Sequence, residues 1–224
     1  MPEIRFTHAV VAGRLAATTL TLTEQRVAVI GANGSGKSTL ARLINGLITP
    51  TAGTVTVDGH DTGSEGRLVR QLVGFVFTDP AAQVVMPTCV EDIELSLRRS
   101  VPSRDRREAA LHVLERFGLN VLADRSVHAL SGGQRQLLAL AGVLASNPAT
   151  IVADEPTTLL DLANTRRVGE ELFNLDQQLI LVTHDLELAR KADRALVIAG
   201  GRIDFDGPAE EAVAHYVAHV SEQP

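Results

Sequence analysis

The sequence predicts an α/β fold: a core of strands and helices, an antiparallel β layer near the N-terminus and a helical subdomain inserted in the middle. Three observations carry this expectation. Residues 4–30 are β-rich, and TTLTLT at 18–23 alternates Thr with Leu as a half-buried strand does. From about 84 to 147 the apolar spacing turns helical, and beyond it short apolar strand patterns alternate with helical ones. The expected organisation is a single domain over 1–224, with its core at about 1–78 and 148–224 and the helical subdomain at about 79–147.

Along the chain, Arg26–Ile30 reads as a short buried strand. The loop GANGSG then leads into a helix over Lys37–Gly46, closed by Asn45-Gly46. Thr-Val repeats at 54–57 followed by Asp58-Gly59 predict a hairpin, and Gly74–Phe77 a further strand. Thr88 with Glu91 three residues on is a capping box, opening a helix that runs to about Arg99. Ser103 is expected to cap a second helix ending before Gly118, and a third begins near Gly133. Thr150–Ala153 and Leu179–Thr183 read as strands, Asn164–Phe173 and Leu186–Lys191 as helices. Leu196–Ala199 and Arg202–Phe205 form a closing hairpin around Gly-Gly. The short helical tail up to residue 224 leads us to expect no regulatory domain.

Composition excludes several classes. A net charge of −6 argues against a nucleic-acid partner, which would call for a basic face. The clusters Arg98–Arg99 and Arg104, Arg106, Arg107 read as solvated helix faces. A single cysteine, Cys89, cannot form an internal disulfide, which fits a reducing cytoplasm. No stretch approaches the roughly 18 apolar residues needed to span a bilayer, so a membrane role is expected to be peripheral, through partners. Only two lysines occur, Lys37 and Lys191, which makes the position of Lys37 informative.

GANGSGKST, residues 31–39, fits the phosphate-loop pattern G-x-x-x-x-G-K-[ST] between a strand and a helix. Glycines permit turns that aim successive N–H groups at an anion, and the helix N-terminus adds partial positive charge. Gly31, Asn33, Gly34, Ser35, Gly36, Lys37, Ser38 and Thr39 are thus the candidate nucleotide-binding residues of a P-loop NTPase core, a motif that by itself fits many NTPases. Lys37 is expected at the β/γ-phosphates, and the Ser38 hydroxyl on Mg2+. A second strand, 150–153, ends in Asp154 and Glu155. Alone, two such carboxylates would read as a polar strand end. Beside a phosphate loop, Asp154 is placed to hold a metal-bound water, and Glu155 to orient or deprotonate the attacking water.

LSGGQRQ at 130–136 could by itself be a turn and helix cap. Lying between the phosphate loop and Asp154–Glu155, it resembles the signature of the ATP-binding-cassette ATPases. That resemblance spans nearly the whole chain and implies that Ser131, Gly132, Gly133 and Gln134 complete the ATP site of the opposite copy in a head-to-tail homodimer. It further implies that Asp161, in TLLD, sits at the dimer interface, although the family usually has a small residue where Leu159 stands. His184, after LILVT, resembles the histidine that contacts the γ-phosphate. The family stacks an aromatic ring on adenine; here only Phe6 and His8 stand near that position, around VVAG at 10–13.

The family also ends the strand before its helical insert in a glutamine that contacts Mg2+ or the catalytic water. This chain has Thr78 there. Thr78 is expected to act through a bridging water, with Asp79 as a competing oxygen donor; Gln83 swinging inward is disfavoured because Pro80 fixes the turn. The stretch VFTDPAAQVVMPT resembles the ATPases of energy-coupling-factor transporters, most closely the biotin type. By that resemblance Gln83 meets a transmembrane coupling protein, a substrate-binding integral membrane protein completes the importer, and the ATPase lies on the cytoplasmic face of the membrane. Cobalt, nickel or another vitamin remain alternative cargoes. A soluble cassette acting on ribosomes or DNA would carry two cassettes or a long coiled insertion, and a non-hydrolysing scaffold would not need both Glu155 and His184.

Overall fold

In the computed structural model, which describes residues 1–221, the chain folds as two compact units. The first takes Met1–Phe75, Ala149–Glu155 and the chain from Phe173 on; the second takes Val76–Pro148 and Pro156–Leu172. The stretch 156–172, which the sequence reading left in the core, thus clusters with the helices.

The first unit contains the antiparallel layer expected from the sequence. Strands β1 (Ile4–Val11), β2 (Leu15–Leu22), β4 (Ala52–Val57) and β5 (His60–Asp61) pair in the order β2-β1-β4-β5. On β1, Ile4 and Phe6 are fully buried while Arg5 and Thr7 face solvent, the period-2 alternation of a one-sided sheet. The register shifts after Phe6, where His8 adopts φ 49°. This bulge returns Ala9 to the buried face. Asp58 and Gly59 both have positive φ, as a two-residue hairpin turn of the primed type requires.

The second sheet has six strands in the order β10-β9-β3-β8-β7-β6. These are β3 (Arg26–Ile30), β6 (Val73–Val76), β7 (Thr150–Asp154), β8 (Gln178–Val182), β9 (Arg194–Ala199) and β10 (Arg202–Pro208). Strands β7, β8, β3 and β9 run parallel, and β10 closes the sheet antiparallel. All five residues of β7 and of β8 are buried, the continuous apolar run of a strand covered on both faces. Helices α1 (Lys37–Ile44), α2 (Gly66–Leu72), α7 (Leu186–Ala189) and α8 (Ala209–Ser221) complete this unit. Ala212 and Val213 of α8 join Ala28, Ile30, Ala195 and Val197 in one apolar cluster. The sequence reading missed α2, whose seven residues bury only Val69.

The second unit is helical: α3 (Cys89–Ser96), α4 (Arg106–Arg116), α5 (Gly132–Ala145) and α6 (Leu162–Phe173), the last residue of α6 apart. Helix α3 packs on both α4 and α5. Its expected capping box is formed, with Glu91 accepting from both the Thr88 N–H (3.1 Å) and the Thr88 hydroxyl (2.7 Å). Helix α4 starts two residues later than expected. Ser103 lies in a turn closed by the Asp105 N–H on the Pro102 carbonyl, so Asp105 takes the cap position. The Arg167 guanidinium of α6 donates to the Phe117 carbonyl at the end of α4 (2.7 Å).

Candidate functional site

In the first unit, the loop 31–36 is shaped by three glycines at positive φ: Gly31 (144°), Gly34 (78°) and Gly36 (113°). Gly31 runs so close to β9 that a Cβ there would stand 2.2 Å from the Ile198 carbonyl oxygen. The loop is pinned from the far side by the Gly201 N–H donating to the Ser35 carbonyl (2.8 Å). Helix α1 begins at Lys37 with no side-chain cap and no acidic residue in its first turn, so its terminal N–H groups remain donors for an anion.

Lys37 is 5 % exposed, and its ammonium donates to the Gly31 (2.8 Å) and Ala32 (2.9 Å) carbonyls of the loop. Desolvation pushes its pKa down, against the nearby charges of Glu155 and Asp154. A buried ammonium whose hydrogen bonds here go to neutral carbonyls gains by receiving a polyanion. The buried Ser35 hydroxyl oxygen has no hydrogen-bond partner among the described residues, a further polar group in the same loop open to a ligand.

Strand β7 delivers Asp154, 2 % exposed, which accepts from the Ser38 hydroxyl at 2.8 Å. Desolvation raises the Asp154 pKa, opposed by the Ser38 bond and by Arg42, whose guanidinium lies 3.7 Å away. A hydroxyl and a carboxylate side by side are a hard-oxygen pair suited to Mg2+. The described residues contain no cluster of three or more acidic, His or Cys ligands.

Glu155 follows at φ 53°, an uncommon backbone state for a residue with a side chain, with its N–H fixed on the Val182 carbonyl (2.9 Å). Its carboxylate meets His184 Nδ1 at 2.6 Å. His184 enters from the end of β8, next to Thr183, and is exposed. Sequence separates the two by 29 residues; the parallel pairing of β7 with β8 brings them together.

In the second unit, Ser131 caps α5. Its hydroxyl accepts from the Gln134 N–H (3.3 Å), and the Gln134 side chain returns to accept from the Ser131 N–H (3.0 Å). Ser131 and Gly132 are exposed; Gly133 is buried. Asp161 is exposed and accepts from both the Asn164 N–H (2.9 Å) and the Asn164 amide (3.0 Å), which hold its carboxyl below the usual range. On either side of it, Leu159 and Leu162 are 64 % and 68 % exposed.

Three sequence expectations change. Phe6 is fully buried in the antiparallel layer and offers no face to a base; His8, at the bulge, is exposed. Gln83 turns inward, accepting from the Phe77 N–H (3.4 Å) and donating to the Ala139 carbonyl (3.3 Å). The Pro80-led 3-10 turn folds residue 83 back over residue 77, onto backbone of the second unit. Asp79 spends one carboxylate oxygen on the Ala81 N–H (2.9 Å) as cap of that turn. Thr78, half-buried, follows β6. Sequence reasoning passed over Asn164, Arg42 and Gln136, whose amide donates to the Phe77 carbonyl (3.3 Å). Of these only Asn164 left a signal, three residues after Asp161 at a helix start.

Comparison with known proteins places the chain among relatives of one family. Residues 17–158 match the ABC transporter family. The chain is 47% identical over 199 residues to the biotin transport ATP-binding protein BioM of Rhizobium etli, covering 88% of each chain. It is 42% identical over 198 residues to the energy-coupling factor transporter ATP-binding protein EcfA1 of Symbiobacterium thermophilum, covering 84% of this chain and 68% of that one. Among solved structures, cbiO1 from Clostridium perfringens, part of the ABC transporter complex cbiONQ, superposes with TM-score 0.83 at 27% identity, covering 97% and 93%. The cassette MJ0796, solved as a dimer in a post-hydrolysis state with ADP and Pi, gives TM-score 0.80 at 31% identity, covering 93% and 99%. By its match to the family model and its identity to these relatives over most of its length, the chain belongs to the ABC transporter family as an ATP-binding, ATP-hydrolysing subunit.

Proposed function

We propose that this chain is the ATP-hydrolysing subunit of an energy-coupling-factor importer, with biotin as the cargo. The observation that carries this reading is the 47% identity, across 88% of both chains, to a biotin transport ATP-binding protein. No helix among the described residues is long and apolar enough to cross a membrane. In this reading the protein works peripherally on the cytoplasmic face, on a transmembrane coupling protein and a substrate-binding integral membrane protein.

In this reading the N–H groups of 31–39 and the Lys37 ammonium bind the ATP phosphates. Ser38 and Asp154 would hold Mg2+, which when bound neutralises phosphate charge and orients it for in-line attack. Glu155 orients the attacking water and takes its proton, with His184 beside it to contact the γ-phosphate. Two copies close head to tail, so that Ser131, Gly132, Gly133, Gln134 and Asp161 of each serve the ATP of the other. The dimeric form of the MJ0796 cassette supports this arrangement.

Thr78 takes the place of the family glutamine and acts through a bridging water. Asp79 is the weaker candidate because its carboxylate already caps the following turn. Gln83 serves the coupling protein indirectly: it fixes the loop from the inside, and the exposed Ala81, Ala82 and Val85 make the contact.

Affinity purification of the tagged chain from detergent-solubilised native membranes tests the assignment. Recovery of two integral membrane proteins, followed by ATP-dependent uptake of labelled biotin in vesicles holding all three, supports it. Uptake of a metal ion or another vitamin replaces the cargo, and recovery of ribosomal or other soluble partners alone removes the importer.

A further inference from the structure

We propose that Asn164 is a positioning residue that ties the Asp161 loop to the first turn of α5, and that position 133 is glycine in order to seat it. This rests on the reading that Ser131–Gln134 and Asp161 act together on ATP bound by the partner copy.

Glycine weakens a helix, so each glycine at the start of α5 calls for a reason. Backbone conformation is not the reason at Gly133, whose φ is not positive. Access to a ligand does not explain it either, because Gly133 is buried whereas Gly132 is exposed. The two differ sharply in surroundings. A Cβ on Gly132 would find its nearest neighbours at 3.7 Å (Leu160 Cδ2) and 3.8 Å (Leu159 O), ordinary contact. A Cβ on Gly133 would stand 2.1 Å from Asn164 Oδ1, 2.2 Å from Asn164 Cγ and 2.8 Å from Asn164 Cβ. The space a side chain would take at 133 is filled by the amide of Asn164.

That amide has little freedom to leave. Its nitrogen donates to Asp161 Oδ2 (3.0 Å), and the Asn164 N–H donates to Asp161 Oδ1 (2.9 Å). The chain Asp161–Asn164–Gly133 therefore joins two segments about thirty residues apart, so that the signature turn and the Asp161 loop move as one piece. Misplacing either by about 1 Å is enough to slow turnover heavily.

Because even the Asn164 Cβ crowds position 133, relief requires Asn164→Gly rather than Asn164→Ala. Four proteins close the cycle: wild type, Gly133→Ala, Asn164→Gly and the double variant. Each is measured for ATP turnover, for binding of a non-hydrolysable ATP analogue, and for melting temperature. Gly133→Ala is expected to lower kcat about a hundredfold, while analogue affinity measured at protein concentrations where the chain is monomeric stays unchanged, since the phosphate loop is untouched. The double variant is expected to recover at least about tenfold of that loss. A double variant no faster than Gly133→Ala, or a Gly133→Ala as fast as wild type, overturns the proposal. If Gly133→Ala does not fold, Asn164→Ala decides: kcat about tenfold lower at unchanged analogue affinity supports it, and unchanged kcat overturns it. Should wild type bind no analogue, the nucleotide reading falls, while rescue of the Gly133→Ala melting temperature by Asn164→Gly still decides the seating.

Discussion

At the scale of single residues, two of the loop glycines separate conformation from crowding. Gly31 and Gly34 both have positive φ, but only Gly31 abuts backbone, at 2.2 Å from the Ile198 oxygen to an added Cβ; nothing lies within 4 Å at Gly34. Gly34→Ala should therefore cost about 1–2 kcal/mol, the left-handed penalty alone. Gly31→Ala should cost about 3 kcal/mol or more, because strand β9 cannot yield. Urea unfolding of both variants measures the gap, and equal losses would mean that β9 gives way. Glu155 poses a chemical rather than steric question. Glu155→Gln keeps the size and can still hydrogen-bond His184 but cannot take a proton, so turnover should fall by about 10²-fold or more while ATP still binds. Unchanged turnover would remove Glu155 from catalysis. The place of Glu155 directly after a buried strand was legible in the sequence. The 2.6 Å contact with His184 was not, since it depends on which strands pair.

At the scale of elements, local chemistry was legible and tertiary capping was not. The Thr88–Glu91 and Ser131–Gln134 boxes span three residues and announce their helices. Asp92, one residue beyond the first box, shows no such pattern. Yet it is 6 % exposed, and its Oδ1 accepts from the N–H groups of both Val85 (2.8 Å) and Met86 (3.0 Å). The inward turn of Gln83 was hidden for the same reason, its acceptor Ala139 being 56 residues away. Together Gln83 and Asp92 hold the two ends of the segment 83–86, which shows Val85 to solvent. Asp92→Ala strands two N–H groups in a part-buried setting and should destabilise by about 2–4 kcal/mol. Asp92→Asn keeps an acceptor oxygen and should cost about 1 kcal/mol. Chemical denaturation ranks the two, and equal losses would show that the charge, not the acceptor geometry, holds the segment.

At the scale of the whole molecule, the α/β class and the antiparallel layer followed from periodicity, whereas the strand order β10-β9-β3-β8-β7-β6 did not. Each strand reads as a short apolar run whichever neighbours it takes, and the order is decided by crossovers that leave no local mark. The assignment of 156–172 to the helical unit was hidden likewise, because that stretch follows a core strand directly. This division makes the two-copy reading testable in a single chain. The phosphate loop, Asp154, Glu155 and His184 belong to one unit, and Ser131–Gln134 with Asp161 to the other. If each unit serves a different ATP, protection from hydrogen exchange must arrive in two steps. In Glu155→Gln with ATP and Mg2+, amides of 31–44 should become protected at protein concentrations where the chain is monomeric. Amides of 131–134 and 159–164 should follow only as concentration drives dimer formation, with a midpoint matching that seen by sedimentation. Protection of both sets together in the monomer would mean that one copy closes on its own nucleotide, and the exposed Leu159 and Leu162 would then need a different explanation from a facing copy.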